Sequence, residues 1–144
     1  MRFVDTNILL YAISGDPGER DKSAVAVKLL EAPDLAMSVQ VLQEFYVQAT
    51  PPTRAQRISH VEAQALIESW LRFPVQEMTV DVLRAALETS SRFRLSYWDA
   101  AIIEAARVLK CSQVLSEDLS AGQSYAGIRV VNPFQRRRRP TGNR

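Results

Sequence analysis

The chain has 144 residues, enough for one folded domain and too few for a second hydrophobic core. Apolar residues make up 47% of the sequence and charged residues 24%, a globular composition that argues against disorder before the last ten residues. Five of the 18 basic residues lie at 136–144, so 13 basic and 16 acidic residues remain in 1–135 and the net charge of +2 conceals an acidic body.

The sequence also limits where we expect the protein to work. Its longest apolar runs are too short to cross a bilayer. Residues 1–4 lead directly into Asp5, where a signal peptide would need an unbroken apolar stretch, so we expect an intracellular, cytoplasmic protein without membrane contact. Cys111 is the single cysteine, which excludes an internal disulfide and a cysteine-rich metal site.

Taken in chain order, the predicted elements alternate between strands and helices. Short apolar segments predict five strands at 2–4, 35–37, 74–76, 113–115 and 128–131. Helical spacing and N-cap residues predict helices through 8–12, at 21–31, 38–48 and 54–71, after Thr79, and at 97–110. Strands separated by helices indicate a parallel sheet covered on both faces, and hence a three-layer α/β fold. We predict one domain at 1–135 and an Arg-rich, disordered tail at 136–144.

Four acidic residues from distant parts of the chain are predicted to meet at one edge of this sheet. In open parallel sheets, ligands bind beyond the carboxyl ends of the strands. Asp5 directly follows the first strand, and Asp118 follows the fourth by three residues. Asp99 lies in the first turn of the helix at 97–110. Glu44 lies among apolar neighbours in the helix after the second strand, where an ionised carboxylate needs a partner.

Such a cluster needs a cation to offset its charge. Like charges a few ångströms apart raise one another's pKa, and Mg²⁺ or Mn²⁺ removes that cost because both ions prefer oxygen ligands. Ions of this kind activate water and orient a phosphodiester, so the pattern indicates metal-assisted hydrolysis. The sequence has no Gly-rich phosphate loop, Gly-x-Ser-x-Gly elbow or His-Glu-x-x-His motif. We do not expect His60, in the middle of a predicted helix, to be catalytic.

Each acid also has an ordinary structural explanation. Asp5 could cap a helix, Ser96-x-x-Asp99 resembles a capping box, and Asp118 could be a turn residue. Glu117 rivals Asp118 for any metal role, because strand alternation does not decide which of the two points inward. The hypothesis therefore depends on the joint placement of the four acids.

Five segments carry a resemblance to a known family. They are FVDTNIL at 3–9, the spacing from Ser38 to Glu44, LSYWDAAI at 95–102, VLSEDL at 114–119 and VVNPF at 130–134. In their order and spacing these segments resemble the PIN-domain nucleases, and among them the VapC-like toxins of bacterial toxin–antitoxin pairs. The resemblance spans roughly residues 2–134.

This resemblance implies a three-layer α/β/α fold with a five-stranded, mainly parallel sheet. It also implies Mg²⁺- or Mn²⁺-dependent cleavage of RNA, frequent homodimers and inhibition by a partner antitoxin. The four acids of the family match Asp5, Glu44, Asp99 and Asp118, of which Asp5 and Asp99 are expected to bind metal most directly. Polar positions that line the family's site match Thr6, Asn7 and Ser116.

The run of Arg136, Arg137, Arg138 and Arg139 lies beyond the usual end of the domain, so its role does not follow from the resemblance. Clustered arginines favour phosphate backbones, and a solvated terminus is the alternative. If the arginines bind RNA, deleting 136–144 should weaken binding and flatten its dependence on salt concentration. An unchanged salt slope would exclude this role.

Two other classes of function compete with a nuclease. An aspartyl-phosphate hydrolase normally has a second acid two residues after its nucleophile, where this chain has Asn7, and none of Lys22, Lys28 and Lys110 is a convincing partner. A non-catalytic RNA-binding scaffold or a receiver-like domain is the other class. The scaffold would still bind RNA after the substitution Asp99→Asn.

Overall fold

The sheet is built around β1 (Arg2–Val4), whose Phe3 and Val4 are buried in the computed structural model, which describes residues 1–135. The other strands are β2 (Leu35–Ser38), β3 (Val75–Gln76), β4 (Gln113–Leu115), β5 (Ser124–Tyr125) and β6 (Ile128–Val131). Their order across the sheet is β3-β2-β1-β4-β6-β5, and all neighbours are parallel except β5 and β6. The predicted α/β class with a mainly parallel sheet is confirmed.

Helices flank the sheet in two groups. They are α1 (Thr6–Ala12), α2 (Arg20–Leu29), α3 (Val39–Ala49), α4 (His60–Trp70), α5 (Val80–Phe93) and α6 (Tyr97–Val108). Helix α1 packs against α2 and α3, whereas α5 packs on α6, which contacts β2, β3, β4 and β6. Every residue of α6 at 100–106 is buried, because its alanines and isoleucines are apolar around most of the helix. Within residues 1–135, each helix is too short or too polar to traverse a bilayer.

The sheet has one strand more than the five that the sequence predicts. Strand β5 has only two residues and pairs with β6 across a tight turn at Ala126 and Gly127, both of which have positive φ. A two-residue turn of this hand matches the twist of an antiparallel hairpin. The sequence analysis missed the strand because two residues are too few to show a period.

The predicted helix at 54–71 is wrong in its first part, since α4 begins only at His60. Ser59 sets this start: its hydroxyl accepts a hydrogen bond from the Glu62 amide at 3.1 Å and donates one to the Glu62 carboxylate at 3.1 Å. Ser59-x-x-Glu62 has the spacing of a capping box, which is visible in the sequence, but the Glu62 carboxylate accepts from the Ser59 hydroxyl and not from the Ser59 backbone N–H. Residues 51–59 instead form an irregular connection between α3 and α4.

The order of the strands places the functional edge of the sheet. From β1 the chain continues to β2 on one side, while β4 pairs with the other side of β1. The crevice beyond the carboxyl ends of β1 and β4 is therefore the switch point of the sheet, where open α/β folds bind ligands. Two helices begin at the same edge with polar N-caps: Asp5 caps α1, and Ser38 caps α3.

Candidate active site

The four acidic residues predicted from the sequence line one cavity of about 100 Å³, which we call the carboxylate cavity. Its lining residues are Asp5, Thr6, Asn7, Leu10, Gln40, Glu44, Gln48, Trp98, Asp99, Ile102 and Asp118. Among these described residues there are four carboxylates and no basic side chain. The tertiary structure thus gathers acids from two helices, one helix N-cap and a loop, and none of the described lining residues supplies a cation to neutralise them.

Asp5 is the most buried of the four acids, with 8% of its surface exposed. One carboxylate oxygen, Oδ1, accepts a hydrogen bond from the Thr6 amide at 2.7 Å, as an N-cap does. The other, Oδ2, accepts one from the Ser116 hydroxyl at 2.7 Å. The capping role and the place in the cavity are therefore compatible, because each uses part of the same side chain.

Asn7 connects helix α1 to the loop that follows β4. Its amide nitrogen donates to Asp118 Oδ2 at 3.1 Å and to Ser116 Oγ at 3.2 Å. Its amide oxygen accepts from the backbone N–H of Glu117 at 3.2 Å. Ser116 is itself fully buried and accepts from the amide of Asp118 at 3.2 Å. Asn7 and Ser116 therefore hold the loop in the conformation that turns Asp118 toward the cavity.

Glu44 finds the partner that its apolar surroundings require. Its Oε2 accepts from the Thr6 hydroxyl at 2.8 Å, and its Oε1 accepts from Gln40 Nε2 at 3.0 Å. The same Gln40 nitrogen donates to the backbone carbonyl of Trp98 at 3.2 Å, which ties α3 to the start of α6. The sequence analysis missed Gln40, although it stands four residues before Glu44 and hence on the same face of the helix.

Asp99 serves as a helix residue and as part of the cavity. Ser96 caps α6 by accepting a hydrogen bond from the Asp99 amide at 3.1 Å. The carboxylate of Asp99 lines the cavity together with Asp118 and Glu44, and the negative charges of these two residues act on it. Of the two hydrogen bonds of a capping box, Ser96-x-x-Asp99 therefore makes the one that the serine hydroxyl accepts.

The electrostatics of the carboxylate cavity favour uptake of positive charge. Burial raises the pKa of Asp5 to about 6, against hydrogen bonds from Ser116 and Thr6 that lower it, and the charges of Glu44 and Asp118 add to the rise. Burial also raises the pKa of Asp99, as do the charges of Asp118 and Glu44, while a hydrogen bond with Ser96 lowers it. Both acids would be more stable in their charged form if a cation lay between them.

Glu117, the rival of Asp118, lies outside the carboxylate cavity. Its Oε2 pairs with Lys22 Nζ at 2.8 Å, and its Oε1 accepts from the Tyr11 hydroxyl at 2.6 Å. Burial raises the pKa of Glu117, but the hydrogen bonds from Lys22 and Tyr11 outweigh it and leave the pKa below its ordinary value. Of the two neighbouring acids, only Asp118 faces the other carboxylates.

The donors around the cavity fit a hard divalent cation, although they do not converge on one point. Within residues 1–135, no three acidic, histidine or cysteine side chains lie close enough together to hold a metal ion between them. The charged groups that line the cavity are nevertheless all carboxylates, and carboxylate oxygens are ligands that Mg²⁺ and Mn²⁺ prefer. In addition, the buried Gln40 Oε1 has no hydrogen-bond partner among the described residues and could meet a water held by such an ion.

Two further residues beside the cavity escaped the sequence analysis. Trp98 lines the carboxylate cavity and is 62% exposed. Arg54 lines a second cavity of about 210 Å³ that shares Asn7 and Leu10 with the first. Its Nε is buried without a partner in the described part of the chain. The predicted substrate-binding arginines at 136–139 lie outside the described residues.

A parallel sheet with carboxylates gathered at its switch point belongs to a recognised class of protein. The family model for the PIN domain matches residues 2–122, and the chain belongs to this family. The family membership predicted from the five sequence segments is therefore confirmed. A comparison with curated proteins finds no match.

Several solved structures share this fold. A toxin–antitoxin complex from Klebsiella pneumoniae superposes with a TM-score of 0.69 at 21% identity, covering 94% of this chain and 99% of that one. The sarcin–ricin-loop-cleaving toxin VapC20 of Mycobacterium tuberculosis gives 0.64 at 23% identity, covering 82% and 92%. A FitAB complex bound to a DNA fragment gives 0.71 at 17% identity, covering 96% and 99%. At these identities the likeness establishes the fold.

Proposed function

We propose that this protein is a metal-dependent endoribonuclease of the VapC type and the toxin of a toxin–antitoxin pair. The observation that carries the proposal is the carboxylate cavity: Asp5, Glu44, Asp99 and Asp118 line one space at the switch point of the sheet, with no basic residue among its described lining. Four acids in one cavity are costly for stability alone, which favours a functional explanation. An aspartyl-phosphate hydrolase is disfavoured because Lys22 pairs with Glu117.

Some residues of the cavity would bind the metal ion, and others orient the metal-binding carboxylates through hydrogen bonds. We infer that Asp5 and Asp99 bind the metal directly and that Glu44 and Asp118 complete the set or hold its waters. Bound Mg²⁺ or Mn²⁺ would activate water and neutralise charge on the phosphodiester. Ser116 and the Thr6 amide fix both oxygens of Asp5. Asn7 aims Asp118. Such supporting hydrogen bonds orient ligands before a metal arrives.

Two kinds of protein partner follow from the same proposal. The structural neighbours include toxin–antitoxin complexes, and we infer a protein antitoxin for this chain. We also infer a homodimer, for which α5 offers an exposed apolar stripe formed by Val80, Leu83 and Leu87. Spacing of three and four residues places these side chains on one face of the helix. A monomeric mass in light scattering would contradict the homodimer.

The direct test of the proposed function is a metal-dependence assay on structured RNA. Purified protein should cleave RNA when Mg²⁺ or Mn²⁺ is present, and EDTA should abolish cleavage because the carboxylates alone repel the phosphate. Restoring either ion in excess over EDTA should restore the rate. Cleavage that continues in EDTA after dialysis would contradict a metal-dependent mechanism.

The two neighbouring acids, Asp118 and Glu117, allow a matched comparison. Asp118→Asn should lower kcat/KM roughly 10- to 100-fold, the scale seen when a residue that supports a metal site is lost. Glu117→Gln removes the same charge one residue away and should leave kcat/KM within about threefold, because Glu117 pairs with Lys22 and Tyr11 outside the cavity. Steady-state cleavage of one RNA by both variants would decide this. A larger loss for Glu117→Gln would reverse the assignment.

A further inference from the structure

An open cleft lies beside the carboxylate cavity, and we call it the Trp98 cleft. Most of the surface that it exposes belongs to carbon atoms, although four of its lining residues are polar. It has a volume of about 310 Å³ and is lined by Gln40, Gln43, Glu44, Val47, Gln48 and Trp98. Four of these residues also line the carboxylate cavity: Gln40, Glu44, Gln48 and Trp98. The two spaces therefore share a wall.

The large apolar side chains of this cleft face solvent. Trp98 is 62% exposed and Val47 is 66% exposed. Trp98 contacts Tyr97 edge-on with ring centroids 5.1 Å apart, so this contact does not cover the indole by parallel stacking. The other tryptophan, Trp70, is buried against Phe45. An exposed aromatic face beside a phosphodiester site is the surface on which nucleic-acid bases stack.

We propose that the Trp98 cleft binds an unpaired base of the RNA, next to the nucleotide whose phosphate enters the carboxylate cavity. This inference rests on the proposed function and adds to it a subsite for one base of the RNA. A base inside a duplex is stacked between its neighbours and cannot lie on the indole. The amides of Gln43 and Gln48 offer donors and acceptors for the base edge.

Hydrogen bonds connect the cleft to the carboxylates. Gln40 Nε2 donates to the Trp98 carbonyl at 3.2 Å and to Glu44 Oε1 at 3.0 Å. One side chain thus holds the backbone that carries the indole and one of the four acids. A base placed on Trp98 therefore takes a defined position relative to the cavity, as positioning of the neighbouring phosphate requires.

One basic side chain near the cleft favours a nucleic acid over an apolar protein segment. Arg54 lines the cavity that shares Asn7 and Leu10 with the carboxylate cavity, and its Nε has no partner among the described residues. A guanidinium in this place suits a phosphate of the same strand. An apolar peptide would use Trp98 and Val47, whereas a nucleic acid would in addition use Arg54, whose Nη1 already donates to the Gln48 carbonyl at 3.3 Å.

The test measures binding separately from cleavage. Asp99→Asn protein in Mg²⁺ is titrated with a short, labelled, single-stranded oligoribonucleotide. Binding is monitored by the fluorescence polarisation of the RNA and by the tryptophan emission of the protein. The RNA should quench the emission of exposed Trp98. Adding Trp98→Ala should weaken binding roughly 10- to 100-fold, the range for stacking of one base on an aromatic ring. Adding Trp98→Phe should keep binding within about threefold, because a phenyl ring also stacks.

Controls separate stacking from general surface effects and from misfolding. Val61 is 74% exposed on α4 away from the cleft, and Val61→Ala in the same background should leave binding unchanged. An abasic oligomer of equal length provides a second control that requires no change to the protein. Its affinity for Asp99→Asn protein should be as low as the affinity of intact RNA for the Trp98→Ala variant in the same background. Equal affinity for abasic and intact oligomers would overturn the proposal. Unchanged RNA binding after Trp98→Ala would also overturn the proposal, and it would favour a protein segment as the occupant of the cleft.

The cleavage assay distinguishes failure of this inference from failure of the proposed function. If the wild-type protein cleaves RNA and Trp98→Ala leaves KM unchanged, the nuclease assignment stands and the base site is wrong. If RNA binding depends on Trp98 but the wild-type protein cleaves nothing in Mg²⁺ or Mn²⁺, the base site stands and the nuclease assignment is wrong.

Discussion

Asp99→Asn should lower kcat for RNA cleavage on the order of 10²- to 10³-fold while the protein stays folded. The substitution removes one carboxylate from the cavity at nearly constant volume, and a loss of this size is typical when one electrostatic contact to the transition state disappears. The fold should persist because the backbone amide at this position keeps its hydrogen bond to Ser96. Metal affinity, measured by calorimetry, should fall together with the rate.

A matched control for Asp99→Asn exists one helix earlier. Asp81 lies in the first turn of α5, as Asp99 lies in the first turn of α6, but Asp81 is exposed and lines no part of the cavity. Asp81→Asn should leave kcat and metal affinity unchanged. Undiminished cleavage by folded Asp99→Asn protein would refute the nuclease site, whereas equal losses in both variants would indicate a general effect of charge.

Without metal, the protein should become less stable as the pH rises from about 4 to about 6. Burial raises the pKa of Asp5 from 3.8 to about 6, so in this window the folded state holds a proton that the unfolded chain has already released. The free energy of unfolding therefore falls with rising pH. Each pKa unit corresponds to about 1.4 kcal/mol, so the loss from Asp5 reaches about 3 kcal/mol at neutral pH. Asp99, whose pKa is also raised, acts in the same direction.

Metal should reverse this loss. Mg²⁺ or Mn²⁺ binds the deprotonated carboxylates of the folded state, so at neutral pH either ion should raise the free energy of unfolding in urea and flatten its dependence on pH. Asp34 provides the control. Its hydrogen-bonded ion pair with Arg2 lowers the pKa of Asp34, so the stability that this pair contributes is lost only at a pH below the window from 4 to 6. Asp34→Asn should leave the slope between pH 4 and 6 unchanged. A metal-free stability that rises through this window would contradict the raised pKa of Asp5.

Much of the candidate site was predictable because parallel sheets present the ends of their strands at one edge. Asp5 and Asp118 follow strands that prove to be neighbours, and Asp99 stands in the first turn of a central helix. Position in the sequence therefore indicated a common edge. Residues that act through packing gave weaker signals: Gln40 and Trp98 join the site only when α3 meets α6.

The amino-acid sequence by itself determined the alternation of strands and helices, the α/β class and the acids that follow β1 and β4, because these depend on short-range periodicity and capping. Only the tertiary structure decided that Asp118 faces the cavity while Glu117 turns to Lys22 and Tyr11. Adjacent residues with the same charge have the same local preferences. Each acid is instead oriented by a partner more than 100 positions away in the chain: Asn7 for Asp118 and Tyr11 for Glu117.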